Sequence, residues 1–347
     1  MKNSKRLLSV VAMLLALLTL VGCSGRSVKE TAKLDRPAME ISNIYADYVI
    51  PWYVDASAKA KKAGTMDFYF MSANGYVFEP GDAFESKWGD SCLIAFPNGE
   101  TMLIDGGETL YGEMLMQNLK YLGVEKIDYL VMSHPHSDHV FGLMLDNGIF
   151  KNFEVKHIYY NGMHNLEWSN PKLVEDTAER YDIPLTVWKA GDSMEIGSVS
   201  LEILGPGADC AGTETDSTET INNNSLLMRF DYDEFSALFT GDLYAAAELD
   251  YVKKIPEKLD VDLLKVPHHG RKTSSTSAFV EKVSPEVAVA TGGVEVAFAS
   301  YSTYKKNGAD LYMEFYDGYI FASSNGKDLH VETSHERTTD MYSRYDQ

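Results

Sequence analysis

Short apolar runs recur along this chain and fall into two patterns. Runs of four to six residues rich in β-branched and aromatic side chains, set between Gly, Asp and Asn clusters, predict strands. They are Asp67–Met71, Cys92–Phe96, Met102–Asp105, Ile127–Met132, Val199–Leu204, Ser225–Phe230, Phe235–Thr240, Val261–Val266 and Val287–Ala290, with further runs near 311–316, 319–323 and 328–332. Apolar residues at helical spacing predict helices over Tyr111–Leu122, stopped by Gly123, and over Pro171–Tyr181, Tyr244–Lys254 and Ala278–Val283. Strands come first as hairpins and then alternate with helices. That order predicts layers of sheet and helix, an α/β fold without a purely parallel sheet.

The N-terminus breaks this pattern. Lys2, Lys5 and Arg6 precede an almost wholly apolar run from Leu7 to Val21. The run is short for a membrane span and suits the core of a signal peptide. It ends in Leu20-Val21-Gly22-Cys23, which resembles the lipobox of bacterial lipoproteins. That resemblance implies lipidation of Cys23 and an exported protein anchored to the membrane. The predicted layout is a signal peptide over 1–22, a polar tether over 23–64, one domain over 65–335 and a tail over 336–347.

Charge narrows the partners. Of 347 residues, 51 are acidic and 31 basic, for a net charge of -20. Losing Lys2, Lys5 and Arg6 would make the mature chain more acidic still. Tight binding to nucleic acid needs Lys and Arg on phosphates, so sequence-specific nucleic-acid binding is not expected. A small or polymeric anionic substrate held by bound cations remains compatible. Cys92 lies in an apolar run and reads as a core thiol. Export would permit a Cys92–Cys210 disulfide, which nothing in the sequence requires.

The densest chemistry is Ser133-His134-Pro135-His136-Ser137-Asp138-His139, directly after a predicted strand. In extended chain His134 and His136 leave the same face. A turn after them, into a helix expected near Val140, brings Asp138 and His139 back beside the pair. Imidazole and carboxylate together suit Zn²⁺, with Mn²⁺ or Fe²⁺ as alternatives. Two further motifs sit at predicted strand ends, Thr240-Gly241-Asp242 and Lys265-Val266-Pro267-His268-His269-Gly270. They would deliver Asp242 and one of His268 or His269 to the same sheet edge.

His134-x-His136-x-Asp138-His139 resembles the signature of the metallo-β-lactamase superfamily. Gly89-Asp90-Ser91-Cys92-Leu93-Ile94, Leu103-Ile104-Asp105-Gly106-Gly107, Asn222-Asn223-Asn224-Ser225-Leu226, Leu238-Phe239-Thr240-Gly241-Asp242 and Leu264-Lys265-Val266-Pro267-His268-His269-Gly270 resemble the hydrolase-like domain of ComEC-type competence proteins. The resemblance implies an αββα sandwich with one or two divalent ions at the sheet edge. It assigns His134 and His136 to a first ion, Asp138, His139 and His268 to a second, and Asp242 to both. Asp105 would orient the cluster, and His269, Asn223 and Asn224 are further candidates for contact with the ions or their ligands.

Many members of that superfamily supply a third histidine to the first ion. Here no histidine lies between His164 and His268, and Asn222-Asn223-Asn224 takes that stretch. The first ion is therefore expected to be weaker or richer in water. A Gly-His-Pro frequent in ComEC-like chains is also absent; the stretch is Thr291-Gly292-Gly293-Val294-Glu295-Val296-Ala297-Phe298.

Two readings follow. In the first, the protein is a metal-dependent hydrolase of phosphodiesters or related esters, in which Asp138 and Asp242 are catalytic and a coordinated water attacks. In the second, it is a lipid-anchored binding protein on a retained fold. The run from Lys265 to Lys272 could hold a phosphate beside the ions, and His164 could rim the site.

Overall fold

The computed structural model describes residues 64–71, 89–292 and 295–337. Cys23, the apolar N-terminal run and most of the C-terminal tail lie outside these residues. Among the described residues the strands are β1 (Met66–Phe70), β2 (Cys92–Ala95), β3 (Thr101–Ile104), β4 (Tyr129–Met132), β5 (Ile158–Tyr160), β6 (Leu185–Val187), β7 (Ser193–Ile196), β8 (Val199–Gly205), β9 (Leu227–Tyr232), β10 (Phe235–Phe239), β11 (Leu263–Lys265), β12 (Val287–Ala290), β13 (Asp310–Met313), β14 (Ile320–Ser324) and β15 (Leu329–Thr333), besides two-residue pairings. One sheet runs β15-β14-β1-β2-β3-β4-β5-β6 and the other β7-β8-β9-β10-β11-β12-β13.

The two sheets share a plan. Each opens with antiparallel hairpins, then continues through parallel strands: β3 to β6 in the first sheet and β10 to β13 in the second. Parallel neighbours need crossovers, and helices supply several of them. Gly112–Tyr121 links β3 to β4, Leu173–Tyr181 links β5 to β6, and Ala245–Lys254 links β10 to β11. Ser277–Val283 and Phe298–Lys306 follow β11 and β12.

Strand periodicity builds three apolar layers. Alternate side chains leave opposite faces of a strand. Ile94, Ile104, Val131, Met228, Phe230, Ala237, Phe239 and Leu263 meet between the sheets. Their neighbours Leu93, Leu103, Leu130 and Met132 face outward onto Leu115 and Leu119 of the first crossover helix. Leu238, Leu264, Ala288 and Ala290 face the other way, onto Ala247, Phe279 and Val283. The order helix, sheet, sheet, helix is the αββα sandwich.

Phe239 lies between Phe68 and Phe70, with ring centroids 6.1 Å from each, and meets Phe230 edge-on at 5.7 Å. Burying one such ring stabilises the fold by about 1.5–3 kcal/mol. It also anchors the chain immediately before Asp242.

Some element boundaries depart from expectation. The predicted strand Ile127–Met132 is interrupted at Asp128, whose carboxylate accepts from the Thr101 amide and from Lys126 and Lys156. The strand near 311–316 stops at Met313. There the Met313 amide donates to Asp317 at 2.7 Å, closing a helical turn over Glu314–Asp317. Cys92 and Cys210 are both free and buried. Cys92 packs between the sheets, whereas Cys210 packs with Met163 and Ile221.

Candidate metal centre

The chemistry-bearing segments all leave strand C-termini. β4 ends at Met132; the chain then bends at His134 and Pro135, where the His136 amide donates to the His134 carbonyl at 3.0 Å, instead of running on extended as the sequence suggests. A one-turn helix over Ser137–Val140 then reverses direction, with His136 in extended conformation before it (φ -106°, ψ 154°). The helix begins three residues earlier than the sequence predicts. The reversal sets the His134 and His139 rings 4.1 Å apart by centroid and those of His134 and His136 4.8 Å apart.

Asp105 follows β3 in a left-handed conformation (φ 58°) and is 2% exposed. Its carboxylate accepts from the Ser133 amide at 2.7 Å, the Ser133 hydroxyl at 2.6 Å and His139 Nδ1 at 2.8 Å. This last bond fixes the tautomer, because Nδ1 keeps its proton and Nε2 turns toward the cluster.

Asp242 follows β10 through Gly241, which has φ +48°. A Cβ at Gly241 would lie 2.6 Å from Ser225 Cβ, so the glycine is required both by conformation and by space. Ser225 Oγ accepts the Asp242 amide at 3.0 Å.

His268 and His269, after β11, both adopt left-handed backbone, with φ 47° and 54°. That costs on the order of 1–3 kcal/mol per non-glycine residue. The twist separates the two rings. His269 is fully buried, its Nε2 3.4 Å from Asp242 Oδ2 and 3.6 Å from Asp138 Oδ2. His268 turns to the cavity side, where Tyr244 lies 4.8 Å away by centroid and Thr273 Oγ1 meets His268 Nδ1 at 2.5 Å.

One ligand atom each from Asp138, His139, Asp242 and His269 lies within 4.8 Å of the others. The resemblance gave the second ion His268; the geometry brings His269 rather than His268 into the close tetrad, because consecutive left-handed residues turn the two rings apart. Asp242 Oδ2 is the hub, 3.3 Å from His139 Nε2, 3.8 Å from His268 Nε2 and 3.9 Å from His134 Nε2. His134 Nε2 meets His136 Nδ1 at 3.0 Å.

These residues fit a divalent ion. Ligand atoms about 2.0–2.2 Å from a shared tetrahedral ion lie roughly 3.3–3.6 Å apart, close to the spacings around Asp242 Oδ2. His139 Nε2 is buried and makes no hydrogen bond. A buried polar atom of that kind calls for a partner.

Electrostatics divide the histidines. Burial opposes charge on His139, but Asp242, Asp105 and Asp138 outweigh it and hold its pKa well above the ordinary value. Burial opposes charge on His269 too, yet Asp242 and Asp138 raise it to about 9. His134 is driven well below its ordinary pKa by burial and by His139 and His136, and His136 is lowered chiefly by burial. Burial lowers His268 to about 4. Against the cost of burial, His139 and His269 hold Asp138 at about 2. Burial raises Asp105.

A cavity of about 880 Å³ opens over the centre, lined by His136, Asp138, Asp242 and His268, and by Trp168, Asn222, Tyr244, Arg271 and Lys272. Arg271 and Lys272 thus stand where the sequence offered them. Lys265 does not. It is 2% exposed, behind Asp242, paired with Asp90 and pushed above its ordinary pKa by Asp90 and Asp242 against the effect of burial.

Asn224 turns its amide back to the Thr220 carbonyl at 2.8 Å, so Asn222 faces the cavity instead. Asn223 keeps a buried Oδ1 without a hydrogen bond. His164 pairs with Glu175 and Glu214; its neighbour Asn165 reaches the site, donating to the Pro135 carbonyl at 2.8 Å. His157 bonds Thr186 and His330 bonds Glu332, both away from the centre.

Asp90, Ser133 and Asn165 are the participants that residue-by-residue reading passed over. Asp90 and Ser133 stand inside motifs already noted, and that was their one signal.

The sequence profile of the metallo-beta-lactamase superfamily matches residues 89–293. This chain belongs to the metallo-beta-lactamase superfamily. Within that superfamily it is similar to ComE operon protein 3 of Bacillus subtilis (strain 168), 25% identical over 240 residues, covering 64% of this chain and 29% of that protein. It is also similar to competence protein ComA of Neisseria gonorrhoeae, 27% identical over 233 residues, covering 66% and 30%. The chain thus spans under a third of the length of these relatives. Among solved structures it resembles the metallo-beta-lactamase fold protein YhfI from Bacillus subtilis, with a TM-score of 0.44 and 12% identity over 72% of this chain and 96% of that one. The superfamily binds divalent metals, and the His/Asp groups described above are the candidates here. No helix among the described residues is long and apolar enough to cross a membrane.

Proposed function

We propose that this protein is an extracytoplasmic, membrane-anchored hydrolase that uses divalent metal, Zn²⁺ first, to cleave phosphodiesters or related esters. One observation carries the reading: Asp138, His139, Asp242 and His269, from three separate strand ends, converge within 4.8 Å, and Asp138 and Asp242 among them line an open cavity. His136 lines the cavity and meets His134 at 3.0 Å, and these two would hold a second ion. The lipobox-like Leu20-Val21-Gly22-Cys23 supports the anchor.

Divalent ions held there supply an acidified water and counter-charge for the oxygens of a phosphoryl group. The chain's own residues do the rest. Asp138, ionised at neutral pH, faces the cavity and accepts the hydrogen bond of an attacking water. His268, lowered by burial to about 4, is neutral at that pH and lines the same cavity. Arg271 and Lys272 stand on the same wall and meet the substrate's negative oxygens. Asp105 holds His139 in one tautomer and orientation.

The test is hydrolysis of bis(4-nitrophenyl) phosphate by wild type and by His136→Ala and Asp242→Ala. Expected is activity abolished by chelation, restored by Zn²⁺ or Mn²⁺, and lost in Asp242→Ala. Equal rates in all three proteins overturn the enzyme reading and leave a lipid-anchored binding protein.

A further inference from the structure

Against Asp242 lies a buried ion pair that the proposed chemistry does not use. Lys265 and Asp90 are 2% and 4% exposed. Lys265 Nζ contacts Asp90 Oδ2, donates to the Gly241 carbonyl at 2.9 Å and lies 3.6 Å from Asp242 Oδ1. Asp90 Oδ2 in turn lies 4.0 Å from His139 Nδ1. The pair therefore touches both the hub carboxylate and a histidine of the tetrad. A void of about 10 Å³ among Asp90, Asp105, Ser133 and Lys265 has room for about one water, so solvent screens these charges little.

We propose that Lys265 and Asp90 are a built-in charge pair that sets how tightly the centre holds its divalent ion. Lys265 acts on the hub by charge alone: its Nζ lies 3.6 Å from Asp242 Oδ1, while Oδ2 faces the histidines. Asp90 cancels the repulsion that a bare ammonium would exert on a nearby dication. The assignment rests on the metal-centre reading above. Its physical basis is the cost of the pair. Burying two charges is rarely the most stable way to fill such a space, and apolar replacements of similar volume are commonly as good or better. The position of the pair against Asp242 gives that cost a purpose.

The signs can be worked out in advance. Lys265→Met removes a positive charge and leaves Asp90 uncompensated, so cation binding strengthens. Asp90→Asn leaves the ammonium uncompensated, so cation binding weakens. Removing both removes a neutral pair, and the two effects largely cancel.

The experiment measures Zn²⁺ dissociation constants by competition with a chromophoric chelator for wild type, Lys265→Met, Asp90→Asn and the double variant, with an unfolding midpoint for each. Expected is binding about tenfold or more tighter in Lys265→Met, about tenfold or more weaker in Asp90→Asn, and in between for the double variant. Weaker binding in all three, in step with lost stability, makes the pair merely structural and overturns the proposal. If Lys265→Met does not fold, the other two decide: Asp90→Asn no weaker than wild type, or a double variant no tighter than Asp90→Asn, overturns it. A wild type that takes up no Zn²⁺ overturns the metal-centre reading and this assignment with it. A wild type that binds Zn²⁺ normally without the ladder overturns this assignment alone.

Discussion

The two halves of the metal centre are built to different standards. Asp138, His139, Asp242 and His269 draw on three strand ends. Three of the four are buried, and His139 is tied to Asp105 at 2.8 Å. The other half has His134 and His136 from a single loop, with His136 only partly buried and asparagines where a third histidine would complete the set. Ligands from separate elements stay in place because the whole core holds them. His134 and His136 have no such spread of supports. The difference teaches that the tetrad is braced by the core from several directions, whereas the His134–His136 pair hangs on one segment.

The largest effect that can break this comparison comes from the hub. Asp242→Ala should leave less than one metal equivalent per chain by elemental analysis. Hydrolysis should fall at least about 10³-fold, since a single electrostatic contact in an active site is worth ~10²–10³. His136→Ala should keep about one equivalent and lose roughly 10–100-fold in activity, the range seen when a metal's support is weakened. Equal metal loss in the two variants would mean one indivisible site and would erase the contrast.

The contrast was partly legible in the sequence. Strand alternation fixes the faces of β2, β3, β4 and β10, which is why layers of sheet and helix and the strand-end ligands could be read directly, whereas the αββα order came with the superfamily resemblance. The missing third histidine could be read too. The choice between His268 and His269 could not, because it depends on two left-handed backbone residues in succession, which neither side chain announces. The Asp90–Lys265 pair escaped because its members are 175 positions apart, and a charge inside an apolar strand looks like any other charge until its partner is seen. The helix Phe298–Lys306 was missed for a different reason. It buries Ser300, Tyr301 and Tyr304, the first of them polar, while Phe298 stays 58% exposed, so its amphipathic signal is faint.

Titration of the metal-free protein gives a smaller effect of definite sign. His269 has its pKa raised to about 9 and His139 is raised as well. Groups raised on folding stabilise fully below their unfolded pKa, near 6.5, and lose that contribution as pH rises through the folded value. His268, lowered to about 4, and His134, also lowered, work in the opposite direction. The unfolded chain protonates them first as pH falls below about 6.5. The metal-free unfolding midpoint should therefore peak near pH 6.5 and decline toward both pH 9 and pH 4. With Zn²⁺ bound, the alkaline decline should vanish, because liganded imidazoles are already neutral. A midpoint that climbs steadily from pH 6.5 to 9 without metal would contradict the placement of His139 and His269 among the carboxylates.

The smallest effect sharpens the weak half. Asn222, in the last turn of the helix Thr218–Asn223, is 1% exposed and has a buried Oδ1 without a hydrogen bond beside the cavity. Two residues on, Asn224 gives its side chain to the Thr220 carbonyl. If Asn222 stands in for the absent histidine through water, Asn222→Ala should speed release of the more labile ion about threefold to tenfold and leave the tighter one unchanged. Asn224→Ala should cost about 0.5–1.5 kcal/mol of stability, the worth of one hydrogen bond, with no change in either ion. Stopped-flow transfer of Zn²⁺ to a chelator resolves the two phases. Identical release from both variants would show that the asparagine run shapes the loop and plays no part in holding the first ion.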